Sequence, residues 1–161
     1  TIAEIVGKTA EAEQVLADLQ KTYDDAKAKL QAANKEGAKI ALIQGFSSQN
    51  AAKMLLYTNN SIAMQPLLKS GFQNAYDKFE TDGYTIVGVE SLTAVQDANL
   101  LYVVQDNDNI IDKYFKNNPV WNGLDFVKEK RTYPLGGDMW VYGGPISAKI
   151  LVEKTVNAIA P

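Results

Sequence analysis

Three observations predict a layered α/β fold for this chain. Short apolar runs that read as buried strands alternate with helical patterns along the 161 residues. One long helical pattern stands ahead of every strand. Glycine, proline or asparagine marks most junctions between the two kinds of segment.

The long pattern runs from Thr9 to about Asn34, with apolar or small residues at Ala12, Val15, Leu16, Leu19, Tyr23, Ala26, Leu30 and Ala33. Steps of three or four, except between adjacent Val15 and Leu16, put these on one helical stripe. Thr9 is the expected N-cap, Glu11 and Glu13 suit the positive end, and Lys27 and Lys29 suit the negative end. Gly37 lets the chain turn away. A coiled-coil seam is one reading of this stripe. Its alanine-rich, short character favours a long brace lying along a domain.

"KIALIQG" ends in glycine and reads as a buried strand, and "MLLYT" as a second. "SIAMQPLLKSG" reads as a helix capped by Ser61 and stopped by Gly71, with Pro66 bending it or shifting its start. "TIVGVES" leads into a short helix, "SLTAVQDA". "NLLYVVQ" is the clearest strand. "DNIIDKYFKN" is a helix, "NPVWNGLDFVKEK" holds another, and "RTYPL" is a strand. Pro145 then opens a last helix at its first position, with Ile146, Ile150, Val152, Val156 and Ile159 on its apolar side. The sum is a Rossmann-like lobe: a mostly parallel sheet flanked by helices and preceded by a long backbone helix. No repeat or low-complexity tract interrupts it.

Composition narrows the chemistry. The chain has no cysteine and no histidine, which excludes thiol nucleophiles, Ser-His triads, zinc centres and imidazole haem ligation. A net charge of −3 and a single arginine, Arg131, give no footprint for nucleic acid. No glycine-rich phosphate loop is present, Ser47 and Ser48 lack a base, and no carboxylate pair stands out. An enzyme is not expected. "QDNDNIID" resembles half of a calcium loop but lacks its central glycine and final glutamate, so helix capping by Asp106 or Asp108 explains it better.

In an open α/β sheet, ligands gather beyond the carboxyl ends of the strands. The expected loops there are 45–50, 105–109 and 136–144. They offer Phe46, two serines, and the pair Trp140 and Tyr142 in "DMWVYGGPIS". In an extended segment these two rings point the same way. Core packing is the alternative for them, but Gly143 and Gly144 leave room for close approach. Aromatic faces with neutral hydrogen-bonding groups suit a bulky, partly apolar ligand that carries oxygens on its outside.

"LLYTNNSIAMQPLLKSGFQNAY", "VGVESL", "DANLLYVV", "NPVWNGLDFVKEKRTYPL" and "WVYGGPISAKILVEKTVNAI" follow one another in an order that resembles the iron–siderophore binding proteins of ABC importers. The likeness is greatest to the iron-hydroxamate, ferrichrome type. It spans nearly the whole chain but only part of such a protein, which has two lobes joined by one long helix. The resemblance implies that residues 1–37 hold the inter-lobe helix and 38–161 form the C-terminal lobe, the N-terminal lobe being absent from this chain. It places Trp140 and Tyr142, in a W-x-Y-G pattern, against the siderophore. Tyr84 is the nearest candidate for a further pocket aromatic, and loop position suggests Phe46 and Tyr57 as rim residues.

The resemblance further implies a binding subunit that catalyses nothing and needs no cofactor, because the chelator's own oxygens wrap the iron. It implies a ferric siderophore and a membrane permease as partners, a monomer, and an extracytoplasmic, lipid-anchored or periplasmic location. Gln65 stands where that family carries a glutamate for permease arginines, and an amide cannot supply that charge. Other cargo remains open: a catechol siderophore, cobalamin, or haem, for which Met64, Met139 or a tyrosine would have to ligate iron. So does an α/β interaction module. As half a cleft, the chain is expected to bind ferrichrome weakly or not at all.

Overall fold

The computed structural model describes residues 1–161. Its elements are α1 (Ile2–Ile5), α2 (Thr9–Ala32), β1 (Lys39–Ser48), β2 (Ala51–Tyr57), α3 (Met64–Lys69), β3 (Gln73–Asn74), β4 (Tyr84–Val87), β5 (Asn99–Val104), α4 (Pro119–Gly123), α5 (Asp125–Lys128), β6 (Thr132–Pro134) and α6 (Pro145–Ile159). The strands form one sheet in the order β4-β2-β1-β5-β6, with β3 paired to the start of β1. No helix is long and apolar enough to cross a membrane.

The expected α/β layering is present, and the sheet is mixed. β1 runs parallel to β3 and β5, and β5 to β6, whereas β2 is antiparallel to both β1 and β4. The cause is local. Ser48 pairs with Ala51, so only Gln49 and Asn50 join the two strands, and both have positive φ, 51° and 61°. That is the backbone of a tight turn whose twist matches a hairpin. Residues 45–48 therefore extend β1, and Phe46 lies on a strand instead of in the expected loop.

Alternation along β1 divides the core. Ile40 and Leu42 face α2, α3 and α6, where they pack with Tyr23, Leu30, Met64, Leu67, Val152 and Val156. Ala41 and Ile43 face the other layer, with Leu92, Phe115, Trp121 and Phe126. Each large apolar side chain buried this way contributes about 1.5–3 kcal/mol relative to exposure. A run buried on both faces is why "KIALI" carries no polar alternation.

Several local expectations change. Thr9 is the first helical residue of α2, not its cap. Lys8 occupies the cap without a side-chain bond, and the chain before it forms α1 through a Thr1–Glu4 capping box. α2 buries only Thr22, Tyr23, Ala26 and Leu30, all in its second half, and Leu16 stays 58% exposed. Ser61 caps α3 as expected, its Oγ accepting from the Met64 N–H at 2.9 Å, and Pro66 falls within the first turn, where no bend is required. "SLTAV" belongs to a 3-10 segment, 89–95, and 111–115 is a π-helical turn. Asn109, not Asp106 or Asp108, caps that turn, accepting from Ile111 N–H at 3.0 Å.

Asp108 has a different task. Its carboxylate accepts from the Ser47 N–H at 2.7 Å and from Lys113 Nζ at 2.7 Å, and also from the Ser47 hydroxyl. Lys113 first, then Ser47, hold its carboxyl well below the usual carboxylate range. The contact ties the tip of the β1–β2 hairpin to the loop after β5.

One buried hydroxyl is left over. Thr155 on α6 is fully buried and its Oγ1 has no partner. Thr155→Val removes an unsatisfied polar atom at constant shape. It is expected to raise stability by about 1 kcal/mol, read as a higher urea midpoint at unchanged m-value.

Candidate functional site

The segment 138–144 is not a strand, yet its side chains alternate as an extended chain would place them. Met139 and Val141 are buried in the α2–α6 core layer, while Trp140 is 66% exposed and Tyr142 43% exposed. The inward pair anchors the segment and the outward pair presents two rings. Trp140 and Tyr142 meet edge to face with centroids 6.4 Å apart.

Two further tyrosines lead from this pair into the sheet. The Tyr57 ring meets Tyr142 at 6.2 Å and Tyr84 at 6.3 Å, both edge to face, a favoured geometry for aromatic pairs. Tyr57 and Tyr142 share a hydroxyl–hydroxyl bond of 2.9 Å, and the Tyr57 hydroxyl also reaches Gln44 Oε1 at 2.8 Å. Tyr57 has one proton, which the Gln44 carbonyl oxygen takes, so Tyr142 donates to Tyr57. Burial pushes the Tyr57 phenol well above its ordinary range.

The five aromatics expected at the rim thus fall into different roles. Trp140 and Tyr142 are exposed, and half-buried Tyr84 meets the Tyr57 ring. Tyr57 is not a rim residue. At 1% exposure it is the buried post that fixes Tyr142. β2 lies inside the sheet, between β1 and β4, and the ring packs into the α2–α6 core layer between Tyr84 and Tyr142. Phe46 is half-buried, stands outside the ring cluster, and shares its face of β1 with Gln44 by alternation.

The register also brings in residues that the sequence reading passed over. Leu55 lies opposite Gln44 on β1 and Ile86 on β4, and Lys53 lies opposite Phe46. Leu55 is half-buried, Ile86 is 57% exposed and Lys53 is exposed. The signal was the Gln49–Asn50 turn. Once a two-residue hairpin is recognised, the register and hence the shared face follow.

Glycines shape the approach. A Cβ on Gly143 would strike the Ser147 side chain and come within 2.7 Å of Trp140 Cδ1. Gly143→Ala is therefore expected to move the Trp140 ring or the first turn of α6. It should cost about 1–3 kcal/mol and change the Trp140 indole N–H shift, both measurable on the free protein. A Cβ on Gly137 would meet Val104 O at 2.8 Å, which lets 136–138 cross closely over the end of β5.

The aromatic face is a wall, not an enclosed cavity. The largest cleft, about 800 Å³, lies elsewhere, between α1, the first half of α2 and Pro145. No group of three or more acidic side chains is placed to hold a metal ion. The surface can stack on carbon and hydrogen-bond to oxygen, and it carries no nucleophile–base set.

The sequence matches the periplasmic binding protein family over residues 1–139. It is 26% identical over 162 residues to the Fe(3+)-citrate-binding protein YfmC of Bacillus subtilis, covering 98% of this chain and 49% of that protein. The fold is similar to the siderophore binding protein FhuD of Vibrio cholerae, solved with Fe3+-Desferal bound. There the TM-score is 0.80 at 23% identity, over 99% of this chain and 59% of that one. It is also similar to the iron-uptake system-binding protein FeuA of Bacillus subtilis, with a TM-score of 0.75 at 17% identity, over 96% and 56%. The chain spans about half the length of the curated relative it matches. These proteins bind solutes and are not enzymes. With most of its length matched, this chain belongs to the periplasmic binding protein family.

Proposed function

We propose that the chain is part of the substrate-binding component of an ABC importer, one that captures a ferric siderophore outside the cytoplasm and delivers it to a membrane permease. The observation that carries this reading is the exposed Trp140–Tyr142 pair, held from behind by buried Tyr57 and Gln44. A pre-wrapped chelate needs no protein ligand to its metal. It needs flat apolar contact and a few hydrogen-bonding groups, and rigid aromatics supply both with few rotors to freeze. Neutral partners on this face favour a hydroxamate of the ferrichrome kind. Exposed Lys53 and the resemblance to a Fe(3+)-citrate-binding protein favour a carboxylate chelate as the second reading.

The same proposal treats residues 38–161 as a C-terminal lobe and α2 as the helix that leads to another. The uncovered first half of α2, with Leu16 exposed beside Ile2 and Ile5 of α1, supports it, since an apolar stripe of this length is seldom left in water. The wall seen here then faces a second wall across a cleft. Membrane anchoring by lipid and a monomeric state complete the proposal. Gln65 is engaged locally, its Nε2 donating to Asn59 O at 2.6 Å, so permease docking would use other groups.

A cargo screen by thermal shift tests this reading. A ligand that binds only the folded state must raise the melting point. Ferrichrome is expected to do so for this chain only at about millimolar concentration, where a Kd of about 1 mM corresponds to about 4 kcal/mol. Nanomolar binding would contradict the half-cleft, and a response to haemin or cobalamin alone would contradict the cargo.

A further inference from the structure

We infer that Lys53 sorts the cargo of this face by charge, accepting neutral or anionic chelates and disfavouring cationic ones. The inference rests on the proposed siderophore-binding role of the aromatic face and deepens it. β2 pairing puts Lys53 opposite Phe46, two residues along from Leu55 and four from Tyr57, all on one side of the strand. At about 3.3 Å per residue, Lys53 stands roughly 13 Å from Tyr57, at the far end of the same wall.

No other residue on that side of β1, β2 or β4 is charged. Lys53 is exposed and makes no ion pair, unlike Lys39, Lys113 and Lys154, which are tied to Asp97, Asp108 and Asp138. Two acids border the wall: Asp138, on the outward side of the segment with Trp140 and Tyr142 and tied to Lys154, and Glu90, whose carboxylate lies against Gly88 just past β4; neither pairs with Lys53. A single unneutralised ammonium on an otherwise uncharged strand face acts on any charge bound there, and low salt leaves that interaction little screened. The siderophore complex in the similar Vibrio cholerae structure is Fe3+-Desferal, a chelate with a pendant ammonium. Lys53 sets this chain against such a cargo.

The test uses diamagnetic gallium chelates of three charges: desferrichrome (neutral), citrate (anionic) and desferrioxamine B (cationic). Affinity is read from the Trp140 indole N–H shift at low salt. The cationic chelate is expected to bind about tenfold more weakly than the neutral one. Lys53→Glu is expected to invert that order, and Lys53→Gln to flatten it. Lys35→Glu makes the same change of net charge in the turn before β1, away from the wall, and is expected to leave the order alone. An order that survives Lys53→Glu, or that shifts equally in Lys35→Glu, overturns the inference while leaving the binding face standing. If no chelate moves Trp140, the binding face itself is wrong and the role of Lys53 falls with it.

Discussion

Tyr57→Ala is expected to lose about 3–5 kcal/mol of stability, the range for deleting a fully buried aromatic. A domain of this size holds only about 0.05–0.15 kcal/mol per residue, so the loss takes a large fraction of the total. The ring is 1% exposed, sits between Tyr84 and Tyr142, and packs into the α2–α6 core layer. Tyr57→Phe separates packing from hydrogen bonding. It keeps the ring but strands Gln44 Oε1 and the Tyr142 hydroxyl, and is expected to cost about 1–2 kcal/mol. Urea unfolding measures both.

The alkaline limb gives a second readout. The Tyr57 phenol titrates above its ordinary value of 10.0 when folded, chiefly because it is buried. The unfolded chain loses that proton first, so the contribution is complete below pH about 10 and declines as pH rises further. Tyr57→Phe should make that decline shallower. Tyr23 and Tyr102, also raised by burial, and Lys21, raised by its bond to Asp25, contribute to what remains.

Trp140→Ala should behave in the opposite way. The side chain is 66% exposed, so stability is expected to move by no more than about 0.5 kcal/mol. Cargo affinity, in contrast, should fall by about thirtyfold, the effect of removing a 2 kcal/mol aromatic anchor. Pairing the two variants divides the site into its two parts. Under the proposed role, Tyr57 holds the wall together and Trp140 grips the cargo. A Trp140→Ala variant that lost stability as well would mean the indole is structural.

Much of this was legible in the sequence because it rests on short-range rules. "KIALI" and "LLYVV" announced buried strands, Ser61 and Pro145 marked helix starts, and the spacing of Trp140 and Tyr142 put both rings on one side, though not which side was outward. What escaped depends on pairing. The antiparallel β2 follows from a Gln-Asn turn that lacks the usual glycine, and the conversion of Tyr57 from rim to buried post follows from that strand lying between two others. β3 has two residues and carries no periodicity of its own. Asp108 looked like a helix cap because its contact with Ser47 spans 61 positions, which no local pattern records.

The central claim is that Trp140 and Tyr142 form one wall of a chelate-binding cleft. Titrating this chain with gallium desferrichrome while following every backbone and indole N–H shift addresses it most directly. The account expects fast-exchange shifts centred on Trp140 and Tyr142 and extending to Tyr84, Leu55 and Ile86, with saturation only at about millimolar chelate. Shifts confined to other parts of the lobe, with the Trp140 indole unmoved across that range, would contradict it.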